Sequence, residues 1–366
     1  MADLARLDVD FLGDFSAELM RNSVRHGRDN IDRIRFSVPA PPVSVKDRVL
    51  KIAALHGFYR PTAAPTHKIR EILEIPGLAQ AYSLFADDAS KQLLLKLLAY
   101  RALGLEQVVL PLNTEKFWQL RKSTGAYLRK KNAIANIPLL GSLDLYDFEG
   151  IQMYAHRLNI ETAFQLEQYR HPKVGVHPGD VVIDAGACWG DTALYFAAQK
   201  AQKVICFECM PSNLHILRKN LALNPSLAKR IEVLPKAVWD SSHQIMQFED
   251  RGPGSVTAAS GPTVRVETLT IDDAIASLKP PLLGDPHLHV DFVKMDIEGA
   301  EPRALIGAEK TIRKYRPRLA ISIYHDVCHF AEIPNWIHSL DLGYKFFLGH
   351  ATIHAEETVL FAHSMD

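Results

Sequence analysis

The residues able to do chemistry in this chain stand at the ends of apolar runs. Val181, Val182 and Ile183 lead into Asp184, a turn of small residues follows with Gly186, Ala187 and Gly190, and Asp191 opens a stretch of helical apolar spacing. An apolar strand, a tight glycine turn and a helix form the first unit of a nucleotide-binding α/β fold. A dinucleotide site sets its pyrophosphate on the helix N-terminus, where free N–H groups and the helix dipole favour an anion. Here Asp191 occupies that end and Asp184 flanks the turn. Two carboxylates repel a pyrophosphate and suit a ligand that carries an ammonium and a sulfonium, as S-adenosylmethionine does. The next apolar run, KVICFECM, reaches Glu208, 24 positions after Asp184, where an acid receives the hydroxyls of a bound ribose. An acid there serves NAD and S-adenosylmethionine alike. The glycines separate them: G-x-G-x-x-G requires glycine at 188 and 191, and the chain has Cys188 and Asp191.

In open α/β sheets ligands lie outside the carboxyl ends of the strands. That rule adds Asp296, at the end of VDFVKMD, and His325, after LAISIY. A sulfonium ligand makes methyl transfer the expected chemistry, an in-line displacement, and where the acceptor is a weak nucleophile such as a hydroxyl a base that takes the proton during attack helps. A neutral imidazole near pH 7 suits that task. His325 is therefore the expected catalytic base, with Asp296 orienting the acceptor. Glu298, His350 at the end of YKFFLGH, and Glu357 are candidates for holding the acceptor. Glu301, followed by Pro302, reads as a helix start, where an acid meets the dipole favourably. His354 and Glu356 read as caps of a hairpin. The alternative use of these groups is a metal site. Asp296, His325 and Asp326 offer ligands to a divalent ion such as Mg2+, which would hold a diol and lower its pKa, although imidazole is a poor magnesium ligand.

These side chains need a sheet to hold them. Apolar runs predict strands near 180–185, 203–208, 231–238, 290–296, 318–324, 344–349 and 357–362. Helical spacing predicts helices near 190–200, 211–222, 301–314 and 331–341. That alternation gives a parallel sheet covered on both faces. Before it, helices are expected at 3–24, 45–57, 67–86 and 89–103, with Pro-rich VPAPPV (38–43) and RPTAAPT (60–66) as linkers or stops. LDLYDFEGIQMYAHR (143–157) alternates around Glu149-Gly150 and reads as a β-hairpin. RKSTGAYLRKK (121–131) reads as a solvated helix face, or else as a patch that meets an anionic substrate. DRGPGSVTAASGPT (250–263) is an insertion, either a plain loop or a lid over the substrate. The expected division is a mainly helical N-terminal domain at 1–135, with a role in acceptor recognition, and a catalytic domain at 136–366.

In order along the chain, DAGACWGDT, FECMPSN, VETLTIDD, FVKMDIEGAE, ISIYH and HAEETVLFA resemble the FkbM-type S-adenosylmethionine-dependent methyltransferases. The resemblance covers roughly the last 220 residues. It implies an α/β, class I methyltransferase (Rossmann-like) fold with a seven-stranded, mostly parallel sheet whose last strand is antiparallel. It implies S-adenosyl-L-methionine as cofactor, held by Asp184, Gly186, Ala187, Gly190, Asp191, Glu208, Cys209, Asn213, Ala237 and Asp296. Such enzymes mostly methylate oxygen on sugars, glycan-linked groups or natural products, and some are metal-dependent. The expected reaction is O-methylation of a sugar hydroxyl on a glycan, a nucleotide sugar or a glycosylated metabolite. Cys188 departs from the commoner D-x-G-x-G-x-G turn, whose middle glycine it replaces.

Composition narrows the alternatives. At 366 residues, two units are expected. Apolar residues make up 47% and charged residues 23%, enough apolar content for a sizeable core. With 42 basic and 42 acidic residues, a broad nucleic-acid footprint is not expected. No run approaches the ~20 apolar residues of a membrane span. The first residues, MADLARLDVDFLGDF, lack the apolar core of a signal peptide. Four cysteines make no disulfide framework, and a reducing cytoplasm is the expected location. The competing functions are an N-methyltransferase on an amino sugar, a nicotinamide-dependent sugar oxidoreductase or epimerase, and a non-catalytic cofactor-binding protein. The missing glycines and the acidic helix start count against the nicotinamide enzyme. The partner is a small-molecule or glycan acceptor, and the sequence fixes no oligomeric state.

Overall fold

In the computed structural model of the chain, the described residues are 2–24, 30–32, 65–137, 141–250, 252, 256–257, 263–277 and 289–364. The helix expected at 45–57, the stretch 38–43, and most of 60–66 and of the insertion 250–263 lie outside them.

Helices come first: α1 (Ala2–Arg21), α2 (Ile69–Leu73), α3 (Leu78–Leu84), α4 (Asp88–Leu103) and α5 (Glu115–Ser123). Side chains cap the two longest of the last four. Asp87 accepts from the Ser90 N–H at the start of α4, and Thr114 accepts from the Phe117 N–H at the start of α5. The single helix expected at 67–86 is two, α2 and α3, because Pro76 and Gly77 intervene and Gly77 takes φ +74°. The basic run 121–131 does not share one helix face. Arg121 is buried in α5, residues 124–127 make a 3-10 turn, and Arg129 to Lys131 lie in a strand.

That strand, β1 (Leu128–Ile137), pairs with β2 (Gly141–Phe148), which pairs with β3 (Ile151–Ala155) around Glu149 and Gly150, both at positive φ. The boundary expected at 135/136 thus falls inside β1. After β3 the chain makes a short helix, Arg157–Asn159, that continues as a π-helix, Ile160–Gln165.

The central sheet follows. Its strands are β4 (Val181–Ala185), β5 (Lys203–Phe207), β6 (Ile231–Leu234), β11 (Phe292–Met295), β12 (Arg318–Ser322), β13 (Tyr344–His350) and β14 (Thr358–Ser364). They stand in the order β13-β14-β12-β11-β4-β5-β6. The sheet is mixed: β14 enters by a hairpin from β13 and runs antiparallel to both neighbours, and the other pairs are parallel. The strand expected at 231–238 ends early. Pro235 cannot donate to a ladder, and Ala237–Val238 (β7) leaves for a small second sheet with β8 (Ile245–Glu249), β9 (Val256–Thr257) and β10 (Val264–Leu269).

Helices α6 (Asp191–Ala198), α7 (Pro211–Leu223), α8 (Ile271–Ser277), α9 (Glu301–Ile306), α10 (Glu309–Tyr315) and α11 (His329–Ser339) fill the crossovers. The helix expected at 301–314 breaks between α9 and α10 at Gly307, where a Cβ would meet the Trp239 carbonyl oxygen at 2.1 Å. One face of the sheet packs on α6 and α7 through Phe196, Leu217 and Trp189. The other shares a core with the N-terminal helices: Phe11, Phe15, Leu94 and Leu98 join Ile321, Phe330 and Phe346. Each such side chain contributes roughly 1.5–3 kcal/mol on burial. Among the described residues no helix is long and apolar enough to cross a membrane.

Candidate active site

The carboxyl ends of β4, β5, β11 and β12 open onto a cavity of about 500 Å³. The turn after β4 contributes Gly186, Cys188 and Asp191, and the segment after β5 contributes Glu208, Cys209 and Asn213. Ala237 and Trp239 lie beyond β6, Asp296 and Glu298 follow β11, Tyr324 follows β12, and Glu357 precedes β14. Residues of the 156–169 segment, including Asn159, Thr162, Gln168 and Tyr169, make the facing wall.

Local backbone geometry builds the strand side. The Gly186 and Ala187 N–H groups donate to the Phe207 carbonyl, at 2.9 and 3.0 Å. Gly186 has φ +82°, and a Cβ there would lie 1.8 Å from the Asp296 carbonyl oxygen, so the turn admits only glycine. Cys188 keeps the left-handed backbone of the glycine it replaces, with φ +48°, and brings a thiol to the wall. Glu208 Oε1 accepts from the N–H groups of Cys209 and Met210, both at 2.8 Å. Burial pushes its pKa up to about 7, against the pull of those donors. Asp191 accepts from Asn159 Nδ2 at 3.0 Å. Burial raises its pKa while Asn159 opposes the rise. Asn213 accepts from the Trp189 indole at 3.0 Å.

Several expected residues stand elsewhere. Asp184 is wholly buried outside the cavity wall. The register of β11 on β4 sets Lys294 opposite Asp184, and its Nζ lies 3.1 Å from Asp184 Oδ1 while Thr192 donates to Oδ2 at 2.7 Å. Lys294 also donates to the carbonyls of Ala185 and Gly186. Burial works against its charge, but Asp184 and Asp296 outweigh it and raise the pKa. Asp184 therefore fixes the glycine turn from behind and is not free to meet a ligand. Ala187 and Gly190 also stand behind the wall, Gly190 with φ +83° at the start of α6. His350 lies outside the cavity with Nδ1 2.9 Å from Thr358 Oγ1, and Asp326 caps the Cys328 N–H at 2.8 Å. Glu357, in the wall, accepts from Gln168 at 2.7 Å.

Asp296 is engaged by three side chains. It accepts from Tyr169 Oη at 2.6 Å and Tyr324 Oη at 3.3 Å, and His325 Nε2 lies 3.3 Å from its Oδ1. His325 stands behind it, outside the wall. Its Nδ1 is 3.1 Å from Glu301, which is fully buried, and its Nε2 is 3.6 Å from Glu298. Burial of the ring opposes its charge, but Glu301, Asp296 and Glu298 outweigh burial and raise the pKa to about 9. Those carboxylates favour the imidazolium, the form that cannot accept a proton, and the ring stands outside the cavity wall, so the geometry does not support the expected base role. The expected metal set is also not assembled, since Asp326 faces Cys328. Asp296, Glu301 and His325 do offer ligand atoms within 4.8 Å of one another. Both ring nitrogens already face carboxylates, and magnesium favours oxygen ligands, so this donor set does not fit Mg2+.

The sequence left Lys294, Tyr169, Tyr324 and the whole 156–169 wall unassigned. Lys294 carried a signal, a lone charge inside the apolar run of β11. The 156–169 wall carried none, because its place over the cavity is set by distant partners.

Residues 173–346 match the Methyltransferase FkbM domain. A crystal structure of Methyltransferase FkbM from Methylobacillus flagellatus KT superposes with a TM-score of 0.52 at 20% identity, over 86% of this chain and 65% of that one. This chain thus spans less than two thirds of that protein's length, and the likeness shows the fold alone. Fibrillarin from Aeropyrum pernix, solved with natively bound S-adenosyl-L-methionine, superposes at 0.36 with 11% identity over 63% of this chain and 86% of that one. An rRNA methylase from Streptococcus thermophilus gives 0.34 and 12% over 52% and 90%. Neither bears on the ligand or reaction of this chain. No curated protein matches it.

Proposed function

We propose that this chain, a methyltransferase by the FkbM domain of residues 173–346, moves the methyl group of S-adenosylmethionine to a hydroxyl of a neutral, sugar-like acceptor. The observation that carries this reading is the sign of the cavity. Asp191, Glu208, Asp296, Glu298 and Glu357 line it, and its two lysines are committed, Lys294 to Asp184 and Lys236 to Glu267. Such a wall suits a sulfonium, an ammonium and a set of hydroxyls. It disfavours a pyrophosphate, which counts against a nicotinamide cofactor, a nucleotide sugar and a nucleic-acid backbone.

Glu208 receives the ribose hydroxyls, since a carboxylate accepts from both at once. Cys209, Asn213 and Ala237 flank that place. Asp296 receives the acceptor hydroxyl and takes its proton as the new O–C bond forms and the S–C bond breaks. The His325 cation behind Asp296 offsets its charge. The same carboxylates argue against an amine acceptor: an amine held against Asp296 stays an ammonium with no lone pair to attack. Glu298 and Glu357 hold neighbouring hydroxyls. Glu298 and Glu357 both hold left-handed backbone, at φ +57° and +65°. Among the described residues none before His156 lines the cavity, so the N-terminal helices act on acceptor recognition through the walls they help to hold.

The test incubates the protein with radiolabelled S-adenosylmethionine and fractionated cell-envelope saccharides. Label in a neutral saccharide fraction, released as an O-methyl sugar on hydrolysis, is the expected result. Label confined to amines, phosphorylated sugars or RNA overturns the acceptor assignment.

A further inference from the structure

A group of buried ions lies outside the cavity, on the far side of its helical wall. Glu161, in the π-helix, is 0% exposed, and Arg121, in α5, is 2% exposed. The Arg121 guanidinium meets both the Glu161 carboxylate and, at 2.9 Å, Asp32. Arg157 Nε donates to Glu161 at 2.8 Å, and Thr124 Oγ1 donates to the same carboxylate at 3.0 Å. Two residues before Glu161, Asn159 donates to Asp191 in the first turn of α6. Asn159, Thr162 and Asp191 all face the cavity.

We infer that Arg121 is a positioning residue for the cofactor wall: by gripping Glu161 it fixes the 157–165 segment so that Asn159 reaches Asp191. The inference rests on the cavity being the S-adenosylmethionine site. Buried ion networks rarely add net stability over apolar packing, and their attested use is to fix one arrangement among several. A π-helix is itself a costly backbone, found mostly at functional places. Here the ions hold the π-helix at its second residue, and the hydrogen bond to Asp191 comes from Asn159, the residue just before it. The guanidinium fork matters, because it meets carboxylates on two separate segments at once.

Calorimetry of S-adenosylmethionine binding to the full chain, with Arg121→Met, Asn159→Ala and the double variant, tests this below the melting temperature of each. Each single change weakens binding by roughly 5–20-fold, and the double variant binds no more weakly than the weaker single one, because both act through one hydrogen bond. Additive losses, or unchanged affinity in Arg121→Met with only a lower melting temperature, overturn the inference. Hydrogen exchange of residues 157–165 without ligand gives a second readout, with Arg121→Lys in hand if Arg121→Met fails to fold. Faster exchange confined to that segment is expected, and unchanged exchange overturns the inference. A wild-type chain that binds no S-adenosylmethionine overturns the functional reading instead, and the exchange result still decides the role of Arg121.

Discussion

The two walls of the cavity are built by different means. The strand wall, around Gly186, Cys188 and Glu208, is held by hydrogen bonds among residues of β4, β5 and their turns, and by a Gly186 that admits no Cβ. The helical wall, residues 156–169, is held by Tyr169 on Asp296, Gln168 on Glu357, and Arg121 on Glu161. Those partners are distant in the chain. The strand wall is a local property of a βα unit and the helical wall a property of the whole fold. Changes in the first should act on the cofactor directly. Changes in the second should act on alignment.

The sharpest break of this contrast is at Asp296, which both walls share. Asp296→Asn should lower turnover by roughly 10²–10⁴ while cofactor affinity stays within about threefold, because proton removal matters only in the transition state. Equal losses in turnover and cofactor affinity, measured by steady-state kinetics and calorimetry, would make Asp296 a cofactor ligand.

Gly186→Ala comes next. A Cβ 1.8 Å from the Asp296 carbonyl oxygen forces the two strand ends apart. Cofactor affinity should fall by about a hundredfold or more, with a stability loss of about 1–3 kcal/mol by thermal melting. A variant that binds and melts normally would show that the turn has slack.

Glu208 ties the strand wall to pH. Its carboxylate is the form that accepts from ribose hydroxyls and faces a cationic ligand. With a pKa of about 7, affinity should weaken as pH falls below 7, approaching tenfold per unit, and Glu208→Gln should abolish that dependence. The linkage to folding has the opposite sense. A carboxyl raised from 4.5 contributes least cost below that value and destabilises progressively as pH rises through 7. Glu208→Gln should therefore melt higher than wild type at pH 8, by up to about 3 kcal/mol. A lower melting temperature at pH 8 would contradict the burial account.

His325 gives the smallest effect. Its pKa is raised, so its contribution to stability is complete below the ordinary 6.5 and is lost as pH rises through about 9. Turnover should show no limb near 6.5 and should decline above about 9. A limb near 6.5 that disappears in His325→Gln would restore the base role.

Much of the strand wall was legible in the sequence, because apolar runs, glycines and terminal acids report local structure. Gly186, Asp191 and Glu208, singled out by their spacing, line the cavity. Asp184 was misjudged for a physical reason: its spacing places it at the turn, but only the β11–β4 register shows Lys294 opposite it. His325 was placed at the correct strand end. The sequence could not show that Glu301, at the first position of α9, turns inward to face the ring. The 231–238 strand was overextended because the run stays apolar on both sides of Pro235. The helical wall was invisible, since nothing in 156–169 reports that Arg121, more than thirty residues earlier, completes it.

The most direct test is calorimetric titration of the wild-type chain and Glu208→Ala with S-adenosylmethionine and with NAD at pH 8. The account predicts that the wild type binds S-adenosylmethionine and not NAD, and that Glu208→Ala weakens that binding by roughly ten- to a hundredfold, the loss of a charged hydrogen-bond acceptor. Tight binding of NAD, or S-adenosylmethionine binding that ignores Glu208→Ala, would contradict it.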